Sequence, residues 1–131
     1  MKPRYRAWMK SLKWMCDVTN ISFDSKFVDI CQQGDTERYT EMSVEFDEIT
    51  LMQSTGLFDR NGKEIFEGDI LDYRGRKALV RWHGSYASFI YRFVDELQNR
   101  NTEWKPLYLA YMKCEIIGNI YENPELLEDK E

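Results

Sequence analysis
One histidine, three prolines and three cysteines in 131 residues leave little material for metal or nucleophile chemistry. His83 stands alone, so a histidine-rich metal site is impossible. A four-ligand zinc site would need Cys16, Cys31, Cys114 and His83 to converge from distant positions. No serine, threonine or cysteine lies in a recognisable nucleophile elbow, and a His83–Cys114 or His83–carboxylate pair is left as a matter for the tertiary structure. Asp47 and Glu48 are adjacent, so on a strand they would point to opposite faces and share no substrate. An odd number of widely spaced cysteines among apolar residues predicts reduced thiols in a core and no disulfide framework. These shortages favour a protein that is not an enzyme and has no cofactor.

Long apolar runs are missing too. The longest are a few residues, far short of the ~20 that cross a bilayer. The opening MKPRYRAWMK carries charges where a secretory signal needs an apolar segment. Both absences predict a cytoplasmic protein without a membrane partner.

What is present is aromatic and unevenly charged. Eight tyrosines, seven phenylalanines and four tryptophans supply a core large enough for independent folding. The net charge of −5 argues against nonspecific binding of nucleic acid by the whole molecule, but it hides an asymmetry. Residues 1–16 carry Lys2, Arg4, Arg6, Lys10 and Lys13 without an acid. Residues 73–94 carry Arg74, Arg76, Lys77, Arg81 and Arg92, again without one, and the segment from Glu122 to Glu131 is acidic.

Period-two alternation broken by turn signals predicts a mainly β protein. In KALVRW, Ala78, Val80 and Trp82 share one face and Lys77, Leu79 and Arg81 the other. KCEIIGNIY reads as a strand with a bulge or bend at Gly118. ISFDSKFVDIC reads as a hairpin turning at Asp24-Ser25-Lys26. YRAWMKSLKWM reads as another, turning at Ser11 to Lys13, in preference to a helix with Trp8, Leu12 and Met15 on one side. The polar DELQNRNTEWKP, from Asp95 to Pro106, is the longest connection, expected to hold a helical turn and to be the most mobile loop. Asn123-Pro124 predicts the cap and first position of a short C-terminal helix, followed by frayed last residues.

LMQSTGLFDRNGKEIFEGDILDY, from Leu51 to Tyr73, fails two ligand-loop templates. Five residues separate Gly56 from Gly62-Lys63, and Glu64 stands where a phosphate loop needs a hydroxyl. A calcium loop would need other residues than Lys63, Glu64 and Ile70 at its fifth, sixth and twelfth positions. The segment reads instead as a hairpin with Asn61-Gly62 in a type I′ turn, Leu57-Phe58 and Ile65-Phe66 as its arms, and Glu67-Gly68-Asp69 turning into a strand from Ile70 to Tyr73.

Between Tyr73 and Val94 the cations are interleaved with Tyr73, Trp82, Tyr86, Phe89, Tyr91 and Phe93. Two surfaces use such residues. Arginine, tyrosine and tryptophan dominate protein interfaces, and small barrels hold single strands with stacked rings and cations along the phosphates. Arg74, Arg76, Lys77, Arg81, Tyr86 and Arg92 are the candidate binding residues on either reading, and the Arg4 and Arg6 strand adds charge to the second. A protein partner ranks first, self-association through exposed strand edges is compatible with it, and nucleic acid ranks second.

YRAW near the start, LMQSTGLFDRNGKEIFEGDIL in the middle, VRW after it and EIIGNIYENPELL near the end occur in an order that covers nearly the whole chain. In these segments the sequence resembles the YopX-like proteins of phages and prophages of Gram-positive bacteria, departing from their pattern at Ser54 and Phe66, where an aromatic and a tyrosine are common. The resemblance implies a mainly β fold: an N-terminal β region over residues 1–55, then an SH3-like barrel domain with a C-terminal tail over residues 56–131, the barrel running from the Gly68-Asp69 turn to the Gly118-Asn119-Ile120 strand. It also implies a phage or prophage origin, and together with the shortages above it leaves as the leading expectation a non-enzymatic accessory protein in the bacterial host cytoplasm, with a phage or host protein as partner. It implies no established biochemical activity.

Overall fold
The computed structural model describes residues 4–128. Lys2 and the fraying expected of the last residues lie outside that range. The described chain is mainly β, its strand pairs are all antiparallel, and its helical content is confined to 3-10 turns. It divides into two compact units, Met1–Gln53 and Ser54–Glu131.

In the first unit β1 (Tyr5–Met9), β2 (Trp14–Ser22), β3 (Phe27–Gln32), β4 (Met42–Glu45) and the first half of β5 (Ile49–Phe58) lie in the order β4-β3-β2-β1-β5. The N-terminal segment is the expected hairpin and not a helix: Trp8 pairs with Met15 and Met9 with Trp14 across the turn. Lys13 (φ 56°) and Lys26 (φ 58°) take the left-handed conformation that reverses the chain in the first two hairpins. Alternate residues then face one way, and Ala7, Met9, Cys16, Val28, Ile30, Val44 and Ile49 form a buried cluster.

Ser54 and Phe58, in the second half of β5, pair with β6 (Glu64–Phe66). The second unit continues with β7 (Asp69–Tyr73), β8 (Arg76–His83), β9 (Ser88–Phe93), β10 (Lys105–Pro106) and β11 (Cys114–Asn119), in the order β10-β9-β8-β7-β11. Leu71, Ala78, Val80, Tyr91, Phe93 and Cys114 face a core that Ile65, Leu107 and Ala110 complete. The sheet does not close into a barrel: among the described residues β10 and β11 are its edges, and no ladder joins them.

The edge at β11 is nevertheless covered. The tip of the β5–β6 hairpin lies along it, Arg60 donating its backbone N–H to the Cys114 carbonyl at 2.9 Å while the Asp59 carboxylate accepts the Ile116 N–H at 2.9 Å. Amides left bare on a sheet edge would otherwise need water or another strand. Asp59 also accepts the N–H groups of Asn61 and Lys63, both at 2.9 Å. Those two bonds correct the expected turn. Gly62 is left-handed (φ 79°) and donates to the Asp59 carbonyl, whereas Asn61 is not left-handed, so Asp59 to Gly62 form a type I turn that ends in a glycine bulge. The chain's two adjacent left-handed residues in this unit are Arg74 (φ 53°) and Gly75 (φ 86°), which join β7 to β8.

Two further expectations change and one holds. Leu79 is buried with Ala78 and Val80, while Trp82, at the strand's end, is exposed. The C-terminal element is one 3-10 turn, Pro124–Leu127, and the Asn123 side chain does not cap it but accepts the Asn119 N–H at 3.2 Å. Gly118 does sit beside a bulge, the register of β11 slipping between Ile116 and Gly118. Its reason is space: a Cβ there would lie 2.5 Å from Asn123 Oδ1 and 2.8 Å from Leu126 Cδ1.

Candidate functional site
The six candidate residues of the basic stretch are distributed over the β7–β8–β9 hairpins and do not form one cluster. Arg74 occupies the β7–β8 turn, with its guanidinium 5.6 Å from the Tyr73 ring centre. Arg76 opens β8, 3.6 Å over the Phe93 ring, and is held by Asp95 at 2.7 Å and Glu96 at 3.1 Å. Those two carboxylates lie just beyond the acid-free stretch in sequence, and folding returns them to its beginning. The Asp95 bond, with Glu96 behind it, pushes the Arg76 pKa up despite partial burial. Lys77 donates to the Glu128 carbonyl at 3.0 Å.

Arg92 lies in the sheet opposite Leu79, donates to the Asn99 carbonyl and stands 5.6 Å from the Trp104 ring. It thereby ties down the long connection after the 3-10 turn Val94–Glu96, which supplies the expected helical turn. Arg81 and Tyr86 belong to the other end of β8. Tyr86 is exposed and stacks on His83, ring centres 4.2 Å apart, and among the described residues Arg81 has no carboxylate partner. Arg81 lies five positions along β8 from Arg76.

A different segment gathers uncommitted groups. Residues 104–114, WKPLYLAYMKC, contain no acid. Two successive 3-10 turns, Leu107–Leu109 and Tyr111–Lys113, hang from the core by Leu107, Ala110 and Cys114. Their carbonyls are taken by Ala110, Lys113 and Cys114 N–H groups, so the backbone is tied as well. Anchoring those positions turns Tyr108, Leu109 and Met112 outward, 59%, 66% and 64% exposed. Lys113 immediately precedes Cys114 and Arg74 immediately follows Tyr73, the pair that ends the β7–β11 ladder, and Lys105 rests 5.2 Å from the Phe93 ring. Among the described residues no carboxylate pairs with Arg74, Lys105 or Lys113. An acid lies two positions from each in sequence, Asp72, Glu103 and Glu115; Asp72 accepts the Gly75 N–H at 2.9 Å, and Glu115 is occupied by Arg60 at 2.6 Å and Asn61 at 3.2 Å.

The catalytic arrangements left open by the sequence do not assemble around His83. Its Nδ1 is buried without a hydrogen-bond partner, whereas the Cys114 thiol points to the Ala110 carbonyl at 3.3 Å. All three cysteines are buried and free. Burial pushes the Cys16 and Cys114 thiols up to about 11, helped at Cys16 by Cys31 and Asp17 and at Cys114 by Asp72 and Asp59. They are therefore neutral, unreactive thiols at physiological pH.

The expectation that Asp47 and Glu48 diverge is overturned. Phe46–Glu48 is a 3-10 turn and not a strand, so Glu45, Asp47 and Glu48 bring carboxylate oxygens within 4.8 Å of one another. All three are exposed, and Glu48 Oε2 already accepts the Glu45 N–H at 2.7 Å.

The chain matches the family model of the YopX protein over residues 4–128. It is also similar to the crystal structure of protein EF1440 from Enterococcus faecalis, at 29% identity and a TM-score of 0.58, over 98% of this chain and 99% of that one. No curated protein matches it. Among the described residues no helix is long and apolar enough to cross a membrane.

Proposed function
The chain belongs to the YopX protein family, and from that premise we propose that it is a phage- or prophage-encoded accessory protein of the host cytoplasm that acts without catalysis, by binding another protein or copies of itself. Its second unit is an open form of an SH3-like barrel, and irregular segments on that scaffold make the contact. The observation that carries this reading is the outward projection of Tyr108, Leu109 and Met112 from a backbone anchored in the core. Single exposed apolar residues are normal, but neighbouring ones held in fixed positions lose little side-chain freedom on binding and suit an interface. Methionine and tyrosine are both enriched in such surfaces.

The reading is tested by light scattering across a concentration series together with affinity capture from phage-infected cells. An enriched partner or a concentration-dependent oligomer is expected. A monomer at high concentration with no enriched protein overturns it.

The exposed Trp82 and Tyr86 beside Arg81 favour one alternative, a nucleic-acid contact at the far end of the β8–β9 hairpin. Phosphate contacts would make oligonucleotide affinity fall steeply with salt. Anisotropy titrations with single- and double-stranded oligonucleotides that show no binding at low salt exclude it.

A further inference from the structure
We infer that Asn61 is a site of spontaneous covalent modification, deamidation through a cyclic imide with Gly62, and that the docking of the β5–β6 hairpin tip on β11 sets its rate. Asparagine occurs at Asn20, Asn61, Asn99, Asn101, Asn119 and Asn123, and Asn61 alone precedes a glycine. The reaction needs the backbone nitrogen of the following residue to reach the asparagine side-chain carbon, and a side chain on that residue hinders the approach. Ile21, Arg100, Thr102 and Ile120 follow four of the others, and Pro124, after Asn123, has no N–H to lose. Asn61 and Gly62 are both exposed, and the space where a Gly62 Cβ would stand is open. Water and base therefore reach the turn.

The steps balance with water as the one co-reactant. The Gly62 nitrogen gives its proton to solvent base and bonds to Asn61 Cγ, the Cγ–Nδ2 bond breaks, and the side-chain nitrogen leaves as ammonia. Water then opens the imide ring at either carbonyl. One opening gives an aspartate; the other gives an isoaspartate, whose backbone runs through the former side chain and is longer by one methylene.

In the docked turn both reacting groups are held apart. Gly62 donates its N–H to the Asp59 carbonyl at 2.9 Å, and Asn61 Nδ2 donates to Glu115 Oε1 at 3.2 Å. Both bonds must break before the ring closes. Glu115 belongs to β11, 54 positions along the chain from Asn61, so this brake is tertiary and holds only while the tip lies along the strand.

The product lacks the brake. A carboxylate replaces the amide donor opposite Glu115, two acceptors face each other, and Arg60, already 2.6 Å from Glu115, is left to hold both. An isoaspartate also shifts Gly62 from the place where its φ of 79° closes the turn. Either change loosens the contacts that Arg60 and Asp59 make with Cys114 and Ile116, and opens the β11 edge to water or to another strand.

The test incubates the full chain at mildly alkaline pH and follows its proteolytic fragments by mass spectrometry, with isoaspartate labelled by protein isoaspartyl methyltransferase. Folded wild type should convert at Asn61 before any other asparagine, and more slowly there than the same chain in urea. Glu115→Ala should convert at Asn61 about fivefold faster than folded wild type, the effect of losing one hydrogen bond. Its circular dichroism spectrum and its rates at Asn99 and Asn101 should stay unchanged, which general unfolding would not allow. Asn61→Asp, the chain with the first product built in, should exchange the Arg60 and Ile116 amides roughly threefold faster, with those of Leu71 and Val80 unaffected. The inference is overturned by absence of conversion at Asn61 in the folded chain, by equal rates in the folded and urea-unfolded chains, by equal rates in wild type and Glu115→Ala, or by unchanged amide exchange in Asn61→Asp.

Discussion

Residues 73–94 and residues 104–114 look alike as strings of letters: both are rich in aromatics, carry several cations and lack acids. In the fold they differ. Most cations of the first stretch are satisfied internally, Arg76 by Asp95 and Glu96, Lys77 by a backbone carbonyl of the C-terminal segment, and Arg92 by the carbonyl of Asn99. In the second, Lys105 and Lys113 have no carboxylate partner among the described residues, and the apolar groups between them face outward. The difference comes from secondary structure. A regular strand pairs each residue with neighbours on two sides, whereas a short 3-10 connection anchors every third residue and leaves the others unsatisfied. A charge matters for recognition only when the fold has not already neutralised it.

If that contrast is right, substitutions at committed groups should lower stability, and substitutions at uncommitted ones should change binding alone. The largest loss is expected for Asp59→Ala, which removes the buried carboxylate that accepts the amides of Asn61, Lys63 and Ile116. Hydrogen bonds to a charged group contribute about 1.5–3 kcal/mol, so a loss of about 2–3 kcal/mol in a urea melt is expected, and a loss under 1 kcal/mol would show that the hairpin tip is dispensable for closing the β11 edge. The same carboxylate has a pH signature. Burial tends to raise its pKa, but the amide donors of Ile116, Lys63 and Asn61 outweigh that and hold it below the ordinary value of 3.8. Its contribution is complete above that value and disappears as pH falls through the lower folded one. Wild type should therefore lose stability below pH 3.8 more steeply than Asp59→Asn, which is weaker at neutral pH but has no proton to take up there; parallel acid profiles would contradict the assignment.

Gly118→Ala comes next. Its new methyl meets Asn123 and Leu126, and overpacking of that kind costs about 1–3 kcal/mol. Amide exchange should accelerate first at Asn119 and Glu122, and uniform acceleration across the unit would point to a wider role. Gly62→Val forces a branched side chain to φ 79° in open space, a backbone penalty of about 1–2 kcal/mol. A loss of partner binding at unchanged stability would show instead that the turn itself touches a ligand. Arg76→Ala should cost less than about 1 kcal/mol, because its ion pairs are exposed and screened. The smallest stability effect belongs to Lys113→Glu, within about 0.5 kcal/mol of wild type by thermal denaturation. A large destabilisation there would erase the distinction between the two stretches.

The parts of the fold legible in the sequence are those decided over a few neighbouring residues. Alternation identified the hairpins around Lys13 and Lys26 and the strand ending near Gly118, because burial on one face of a sheet leaves a period of two. Scattered cysteines among apolar neighbours were enough to expect buried thiols. Turn type was not legible at Asn61-Gly62, since Asp59, two residues earlier, captures the local amides and makes a different turn the better one. Trp82 kept the alternation of Val80 but not its burial, because the core ends before the strand does. The acidic trio escaped notice because a 3-10 turn, unlike a strand, brings Glu45, Asp47 and Glu48 to one side.

Sequence alone determined that this is a mainly antiparallel β protein of the YopX family with free thiols, since those properties follow from local periodicity and from motifs that run in order along the chain. Only the tertiary structure decided which cations are spent and which remain. Asp95 and Glu96 reach Arg76 from about twenty positions away, Arg60 reaches Glu115 from 55, and the exposure of Leu109 and Met112 depends on Leu107 and Ala110 finding a core built by other strands. Neutralisation and burial are properties of distance in space, which no short window of sequence contains.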